Sequence, residues 1–478
     1  MVSIYSLFGV RIYQYLSTIG ANFAIINSEL HYGWPSPFIP VLESGNYTVT
    51  ISSEMGSWLT VTHPIGSMFG AMFAASIVDI IGRKKLVVLS SIPAIANWLV
   101  LGLASVPSIF FVGRFMSGFL DGISFTVVPM YVGEISEPQI RGLLSSAIPT
   151  TTVIGFLIIN SLGAYLPLDT VSYICTIIPV LLLVTFSWMP ESPYYFLIRG
   201  NIDAAKRSLQ QLRGTKDVND EFQRIAEAVR AEQENKGSFF DLFTVKSNRK
   251  AVTVTLGLFT IQQFSGRSVI IFYCKTIFEQ SHTVISAETA TILYFAVMLF
   301  FSVVTSIVVD FFGRRPMLIL SVSCTAMALL TNSVFLYLTN CTNVDTSQLT
   351  FMPIVALIGF VVTFSLGLQT IPHLIMGEIF ATSVKAFALC LMDIYNSIVE
   401  TISSKYFHWT NDTWGLHVPF FSFFTCCILG LFFVIFYVPE TKGKTLEAIQ
   451  DDLKERDRVP GSKKNSTLDK PRLSHDGH

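Results

Sequence analysis

Asp79-Ile80-Ile81-Gly82-Arg83-Lys84 closes one long apolar run and opens the next, and the chain writes it again as Asp310-Phe311-Phe312-Gly313-Arg314-Arg315. Outward from this pair the repetition continues. Glu134 with Arg141 returns as Glu378 with Lys385, and Pro190-Glu191-Ser192-Pro193 returns as Pro439-Glu440-Thr441-Lys442. The offsets are 231, 244 and 249 residues, so three separate signals agree on one duplication of about half the chain. Each signal follows an apolar run. Paired halves of hydrophobic helices, with charge at matching helix ends, are the layout of alternating-access membrane carriers.

Composition agrees. Hydrophobic residues make up 51% of the 478 against 14% charged, and mean hydropathy is +0.55. A soluble domain of this size needs more charge to cover its surface. About 20 apolar residues cross a bilayer as helix, and twelve spans are expected near 8–30, 58–80, 86–104, 108–132, 143–166, 171–189, 251–278, 288–310, 316–338, 351–376, 384–406 and 417–438. The expected class is an all-α membrane protein with a first half 1–189, a helical linker 190–250, a second half 251–438 and a tail 439–478. The net charge of −1 sets nucleic acid aside as a partner.

Lys and Arg set the orientation. With both termini in the cytoplasm, the inner loops hold Arg83, Lys84, Lys85, Arg141, Arg314, Arg315 and Lys385, while the loops 31–57, 105–107, 167–170, 339–350 and 408–416 hold none. Three glycosylation sequons, at Asn46, Asn340 and Asn411, fall in those outer loops, and Asn465 falls in the tail. Of seven cysteines six lie in spans, with neither a disulfide framework nor metal-ligand spacing, so no metal or other cofactor is expected. In the linker, Asn201 is placed to cap a helix that Gly214 ends, and 218–235 reads as a second amphipathic helix.

The charged turns read as gates. Glycine permits the tight turn and the Arg head groups can reach acids on neighbouring helix ends. The expected set is Asp79, Arg83, Glu134, Arg141 and Glu191 in the first half, and Asp310, Arg314, Arg315, Glu378, Lys385 and Glu440 in the second. Arg141 is expected near Glu191 and Lys385 near Glu440, holding the cytoplasmic ends of the halves together while the cavity opens outward.

These residues, with Gly113-Arg114-Phe115, Pro129-Met130-Tyr131-Val132-Gly133-Glu134, Gln262-Gln263-Phe264-Ser265-Gly266 and Gly377-Glu378-Ile379-Phe380, resemble the sugar porter family of the major facilitator superfamily. Gly33-Trp34-Pro35-Ser36-Pro37, Ser57-Trp58 and Ile148-Pro149-Thr150 are most similar to its insect trehalose-transporter-like branch. The resemblance implies a monomeric sugar carrier, and no enzyme, at the plasma membrane. It implies a midplane site in which Gln262, Gln263 and Asn396 hydrogen-bond the substrate, with Phe272 and Tyr273 as an outer aromatic gate. Amides suit sugars because they donate and accept at once.

The departures cluster at that site. Arg267-Ser268 stands where the family has Ile-Asn, His373 where it has Trp, and Met298, Ser397 and Tyr194 replace other family residues. Ser268 and His373 are therefore counted with the substrate site. Intramembrane charge asks for a reason. In proton-coupled members of the family the equivalent of Arg114 partners an acid on span one, where Glu29 stands one residue away; Asp121, Asp393 and Glu400 are further acids. Arg267 is expected to share a helix face with Gln263 one turn earlier and to meet Glu29, Asp393 or a substrate anion. Three readings follow: a facilitative sugar carrier, a proton-driven or organic-anion carrier, and a transport-inactive sensor.

Overall fold

The computed structural model describes residues 4–45, 47–234, 238–281, 285–342, 349–380 and 384–442. Asn46, the side chain of Asp310 and the tail from 443, with Asn465, lie outside the described residues. The described secondary structure is helical throughout. In the first half, α1 (Ile4–Gly33) is followed by the short α2 (Pro35–Glu43), then α3 (Ser53–Ile81), α4 (Arg83–Gly102), α5 (Pro107–Ile135), α6 (Arg141–Tyr165) and a sixth span broken into α7 (Leu168–Cys175) and α8 (Ile177–Phe186). Four short helices follow: α9 (Pro193–Ile198), α10 (Ile202–Arg213), α11 (Asn219–Glu234) and α12 (Asp241–Thr244). The second half has a seventh span in three pieces, α13 (Lys246–Phe264), α14 (Arg267–Phe272) and α15 (Cys274–Gln280), then α16 (Ala287–Phe312) and α17 (Arg314–Cys341). Its tenth span is split into α18 (Met352–Ser365) and α19 (Ile371–Ile379), before α20 (Lys385–Trp414) and α21 (His417–Tyr437).

Eight of these helices are long and apolar enough to cross a membrane. The spans that fall short, the first, seventh, tenth and eleventh, are those bearing Glu29, Gln262, Gln263, His373, Asp393 and Asn396. Of these polar residues Glu29, Gln262 and Gln263 are buried against other helices, and the seventh and tenth spans are also broken into shorter pieces. Apolar side chains cover the outside: Phe69, Ile80, Leu89, Phe312, Leu429 and Phe436 are all exposed.

Packing follows from small residues where helices touch. Gly66 and Gly70 of α3 face Gly118 and Gly122 of α5, and a Cβ on Gly118 would run into the His63 carbonyl. Such contact lets two backbones approach where no hydrophobic drive exists in lipid. The first half has one apolar cluster around Val78, Val128, Ile135 and Phe186 and another around Trp34, Phe38, Trp98 and Phe110. The second half is built around Phe259, Phe272, Phe360 and Phe420. The halves meet along α3 with α20 and α6 with α16.

The linker folds as its caps direct. Asn201 accepts from the Ala204 N–H at 3.1 Å and Gly214 closes α10 in the left-handed conformation at φ 62°. Leu209, Val218, Ile225 and Val229 form its core. Arg213 ties it to the first half by donating to the Ile135 carbonyl at 2.8 Å, while α12 packs on α13. The seventh span begins at Lys246, inside the stretch read as linker. The helix α20 continues to Trp414, so Asn411 sits in its last turns and not in a loop.

Candidate functional site

The duplicated turns are matched bond for bond. Gly82 and Gly313 hold φ of 104° and 89°, each between two long helices. Glu191 accepts from the Lys84 and Lys85 N–H groups at 2.9 and 3.3 Å, capping α4. Glu440 accepts from the Arg314 and Arg315 N–H groups at 3.1 and 3.0 Å, capping α17. A side chain at Gly82 would also collide with the Glu191 carboxylate. Burial works to raise the Glu440 pKa, yet the N–H groups of Lys442, Arg314, Arg315 and Thr441 together bring it below its ordinary value. Beside each cap lies an ion pair, Arg83 with Glu134 at 3.0 Å and Arg314 with Glu378 at 3.0 Å. Arg83 also bonds Asp79 at 2.8 Å. Ser192 donates to Glu134, and Thr441 donates to Glu378 at 2.6 Å. Ser192 and Thr441 were missed in the sequence although each follows its capping Glu.

The pairs Arg141–Glu191 and Lys385–Glu440, expected while the cavity opens outward, are not formed in this conformation. Arg141 donates to the Ser136 carbonyl at 3.4 Å and Lys385 to the Gly377 carbonyl at 2.6 Å, so neither takes Glu191 or Glu440. The physical reason is local: each cation starts a helix beside the carbonyl end of the preceding one, which attracts positive charge, while the acids are taken up by backbone N–H groups. Each cluster also closes within its own half and does not bridge the two. Arg315 donates to the Ile435 carbonyl at 2.5 Å.

The seventh span breaks in the middle of its motif. Gly266, at φ 89°, ends α13 and starts α14, so Gln263 and Arg267 do not share a continuous helix face. The break turns Ser268 back onto Gln263. A hydrogen-bonded chain results: Tyr32 donates to Ser268 at 3.0 Å, Ser268 to Gln263 Oε1 at 2.5 Å, and Gln263 to Asn396 Oδ1 at 2.8 Å. It runs from α1 of the first half to α20 of the second. Gln262 instead donates to the Leu368 and Gln369 carbonyls at 2.7 and 3.2 Å, satisfying backbone freed where the tenth span is interrupted. Thr260 and Tyr395 share a bond of 2.7 Å nearby. His373 stacks edge-on against Phe259 at 5.1 Å and is exposed although it lies in the field of Arg267. Phe272 meets Tyr32 at 4.6 Å, and Tyr273 meets Phe407 at 5.1 Å. Tyr32 carried no motif and was missed.

The charged residues are arranged differently from expectation. Arg114 donates to the carbonyls of His31, Leu59 (3.3 Å) and Thr60 (3.5 Å), not to Glu29, and lies 5.6 Å from the Trp34 ring. Among the described residues Arg267 makes no direct ion pair, and its buried Nε has no partner. Glu29, Asp121 and Glu400 lie in its field, and one oxygen of each is buried without a partner. Asp121 accepts from Ser67 at 2.8 Å, and Asp393 faces Asp121. Ser397 donates to the Asp393 carbonyl at 3.0 Å, and Met298 is buried.

Contacts between the halves gather at midplane and toward the end opposite the charged turns. Between described residues, the side-chain hydrogen bonds and ring contacts joining the halves include Tyr32 with Ser268 and Phe272, Phe156 with Phe295 at 5.8 Å, Ser36 with the Lys275 N–H at 3.4 Å, and Lys405 with Ser57 and Trp58. All lie at midplane or toward the end opposite the charged turns. That opposite end also carries Asn340 and Asn411, which line one depression with Glu279 and Asp412. These contacts close the seam at that end.

A family model described as "Sugar (and other) transporter" matches residues 17–453. The protein named facilitated trehalose transporter Tret1 in Polypedilum vanderplanki is 32% identical over 464 residues, 95% of this chain and 91% of its own length. Its namesake in Anopheles gambiae is 30% identical over 456 residues, 95% of this chain and 57% of its own length, so this chain spans little more than half of that relative. Among solved structures, a major facilitator proton:xylose symporter, XylE, bound to 6-bromo-6-deoxy-D-glucose superposes with a TM-score of 0.74 at 19% identity, over 93% of this chain and all of that one. The inward open XylE of E. coli gives 0.73 at 18%, over 91% and 98%. Those likenesses show the twelve-helix major facilitator fold.

Proposed function

We propose, from the premise that this chain belongs to the sugar (and other) transporter family, that it carries a sugar, a hexose or trehalose, across a membrane by facilitative alternating access. The observation that carries the reading is the polar chain Tyr32–Ser268–Gln263–Asn396, which offers hydroxyl and amide groups from both halves at midplane. Neutral groups that donate and accept suit a substrate made of hydroxyls. Exposed His373 and half-buried Asn396 and Asp393 add polar surface at the same level. The names of the insect relatives support trehalose, and a monomer suffices, since both halves of the site come from one chain.

The excess of Lys and Arg at the charged turns supports cytoplasmic termini. That orientation puts the contact of Lys405 with Ser57 outside, which supports a form closed outward, and the charged turns at the cytoplasmic face. The matched caps then act as gates by making each cytoplasmic helix turn rigid, so that each half (1–189 and 251–438) rocks as a unit with the 190–250 linker riding mainly on the first. Retention of both full clusters weighs against a transport-inactive sensor. A second reading rests on one observation: Arg267 is a permanent cation with three buried acids in its surroundings. The acids around it, Glu29, Asp121 and Glu400, each keep one buried oxygen without a partner, which favours an organic anion or a coupling proton.

Uptake by the full chain in transporter-null cells, with labelled trehalose, glucose and small organic anions, with and without a proton gradient, tests both. Saturable sugar uptake indifferent to the gradient supports the first reading. Anion uptake lost in Arg267→Ile, or uptake abolished by collapsing the gradient, overturns it in favour of the second.

A further inference from the structure

Lys405 stands in the eleventh span near the end opposite the charged turns, where the topological bias of Lys and Arg leaves no expectation of a cation. A charge at that depth is costly unless it meets a partner. Its partners are all in the other half. Nζ donates to Ser57 Oγ at 2.8 Å and sits 3.9 Å from the centre of the Trp58 ring, both on α3, and Glu54 one turn away adds its field. Among the described residues no acid of its own helix pairs with it: Asp412 pairs with His408 at 3.3 Å, and Glu400 lies buried in the field of Arg267. Trp58 is 47% exposed, so the contact is at the rim of the seam and not in its core.

We propose that Lys405 is the outer latch of the transport cycle, a positioning residue that sets the balance between outward-closed and outward-open forms through Ser57 and Trp58. The inference rests on the alternating-access reading above. Lys405 touches neither the polar chain nor its surroundings, so it acts on the conformer and not on the substrate. When the halves rock apart at this end, α20 leaves α3 and Nζ loses both the hydroxyl and the ring at one stroke. The deeper contacts, Tyr32 with Phe272 and Ser268, are then unprotected from water. A cation over an aromatic face combines grip with ready release, because water rehydrates the ammonium as it leaves.

The test reads the conformer directly. Thr60, buried one turn below Ser57 on the same seam, is changed to Cys in a chain in which Cys341, exposed at that end, is Ser. A membrane-impermeant thiol reagent is applied to intact cells without sugar. Lys405→Met, which keeps the stem and loses the charge, should label about tenfold faster, and Trp58→Leu should label several-fold faster. Lys405→Arg, which can still meet ring and hydroxyl, should stay within about twofold of the parent. Equal labelling of the parent and Lys405→Met at matched surface abundance overturns the latch, as does Lys405→Arg labelling as fast as Lys405→Met. If Lys405→Met does not reach the surface, Ser57→Ala with Trp58→Leu tests the same contact from α3, and an unchanged rate overturns it equally. Faster labelling in a chain that moves no sugar leaves the latch standing and removes the transport reading.

Discussion

Ser268→Ala removes a link between the two halves at the centre of the proposed substrate site. Ser268 Oγ accepts from Tyr32 across the seam at 3.0 Å and donates to Gln263 within its own half at 2.5 Å. Only the first bond is lost when the halves separate, so only it biases the conformers. A net bond is worth about 1 kcal/mol, and leaving the Tyr32 hydroxyl, on a residue only 8% exposed, with Glu400 alone beside it adds at most about as much again. A loss of about 1–2 kcal/mol moves the ratio of outward-closed to outward-open chain by about 5–30-fold toward the open form. Tyr32→Phe cuts the same bond but leaves Ser268 on Gln263. Both variants should therefore shift labelling of the outer seam by similar factors, while only Ser268→Ala should also raise the half-saturation concentration for sugar by freeing Gln263. The double variant should shift labelling no further than either single one. Full-length protein in intact cells supplies both readouts, thiol labelling for the conformer and initial uptake for affinity. If Tyr32→Phe left labelling unchanged while Ser268→Ala altered it, the bond would not join the halves and the reasoning would fail.

Other expectations follow from the same geometry. Glu191→Ala and Glu440→Ala should each lower stability by about 2–3 kcal/mol, read as thermal unfolding in detergent, since each strips the N-terminus of a long helix of its carboxylate cap. Arg141→Ala should cost clearly less; an equal cost would reinstate the Arg141–Glu191 pair. Gly118→Val should abolish folded protein, because any Cβ strikes the His63 carbonyl, whereas Gly133→Val, with open space around it, should be well tolerated in a size-exclusion profile. In the linker, the Arg213 hydrogen bonds hold the Glu221 carboxyl below its ordinary 4.5. A depressed acid stabilises above its unfolded pKa and loses that contribution as pH falls through the folded one. Hydrogen exchange of α10 and α11 should thus rise below about pH 4.5, and Arg213→Met should exchange fast already at neutral pH; a flat profile would count against the pair.

Much of the architecture was legible in one dimension because a bilayer leaves a chain little choice. Backbone groups must be satisfied within each span, so apolar length alone marks a helix, and the repeated Gly-Arg turns mark the join of equivalent helix pairs. The linker helices followed from Asn201 and Gly214, whose roles are local. The site was legible only as an inventory. Gln263, Asn396, Ser268 and Phe272 carry the family's pattern, but that Gln262 serves backbone while Gln263 serves the seam depends on where two other spans break.

What the sequence by itself determined is therefore whatever depends on neighbours along the chain: the spans, the duplication, the glycine turns and the caps. Only the tertiary structure decided who meets whom across it. Glu191 and Glu440 went to backbone N–H groups, Arg83 and Arg314 to the other acids, Arg114 to three carbonyls, and Arg267, among the described residues, to no direct ion pair. A left-handed glycine at 266 redirected everything after it by interrupting the helical phase from which side-chain neighbours are read. Tyr32 and Lys405 have no motif to announce them; they matter because α1 and α20 bring them to a seam between residues 236 and 348 positions away. Charge and hydrogen-bond pairing depend on distances of a few ångströms, and sequence separation sets no such distance until the helices have packed.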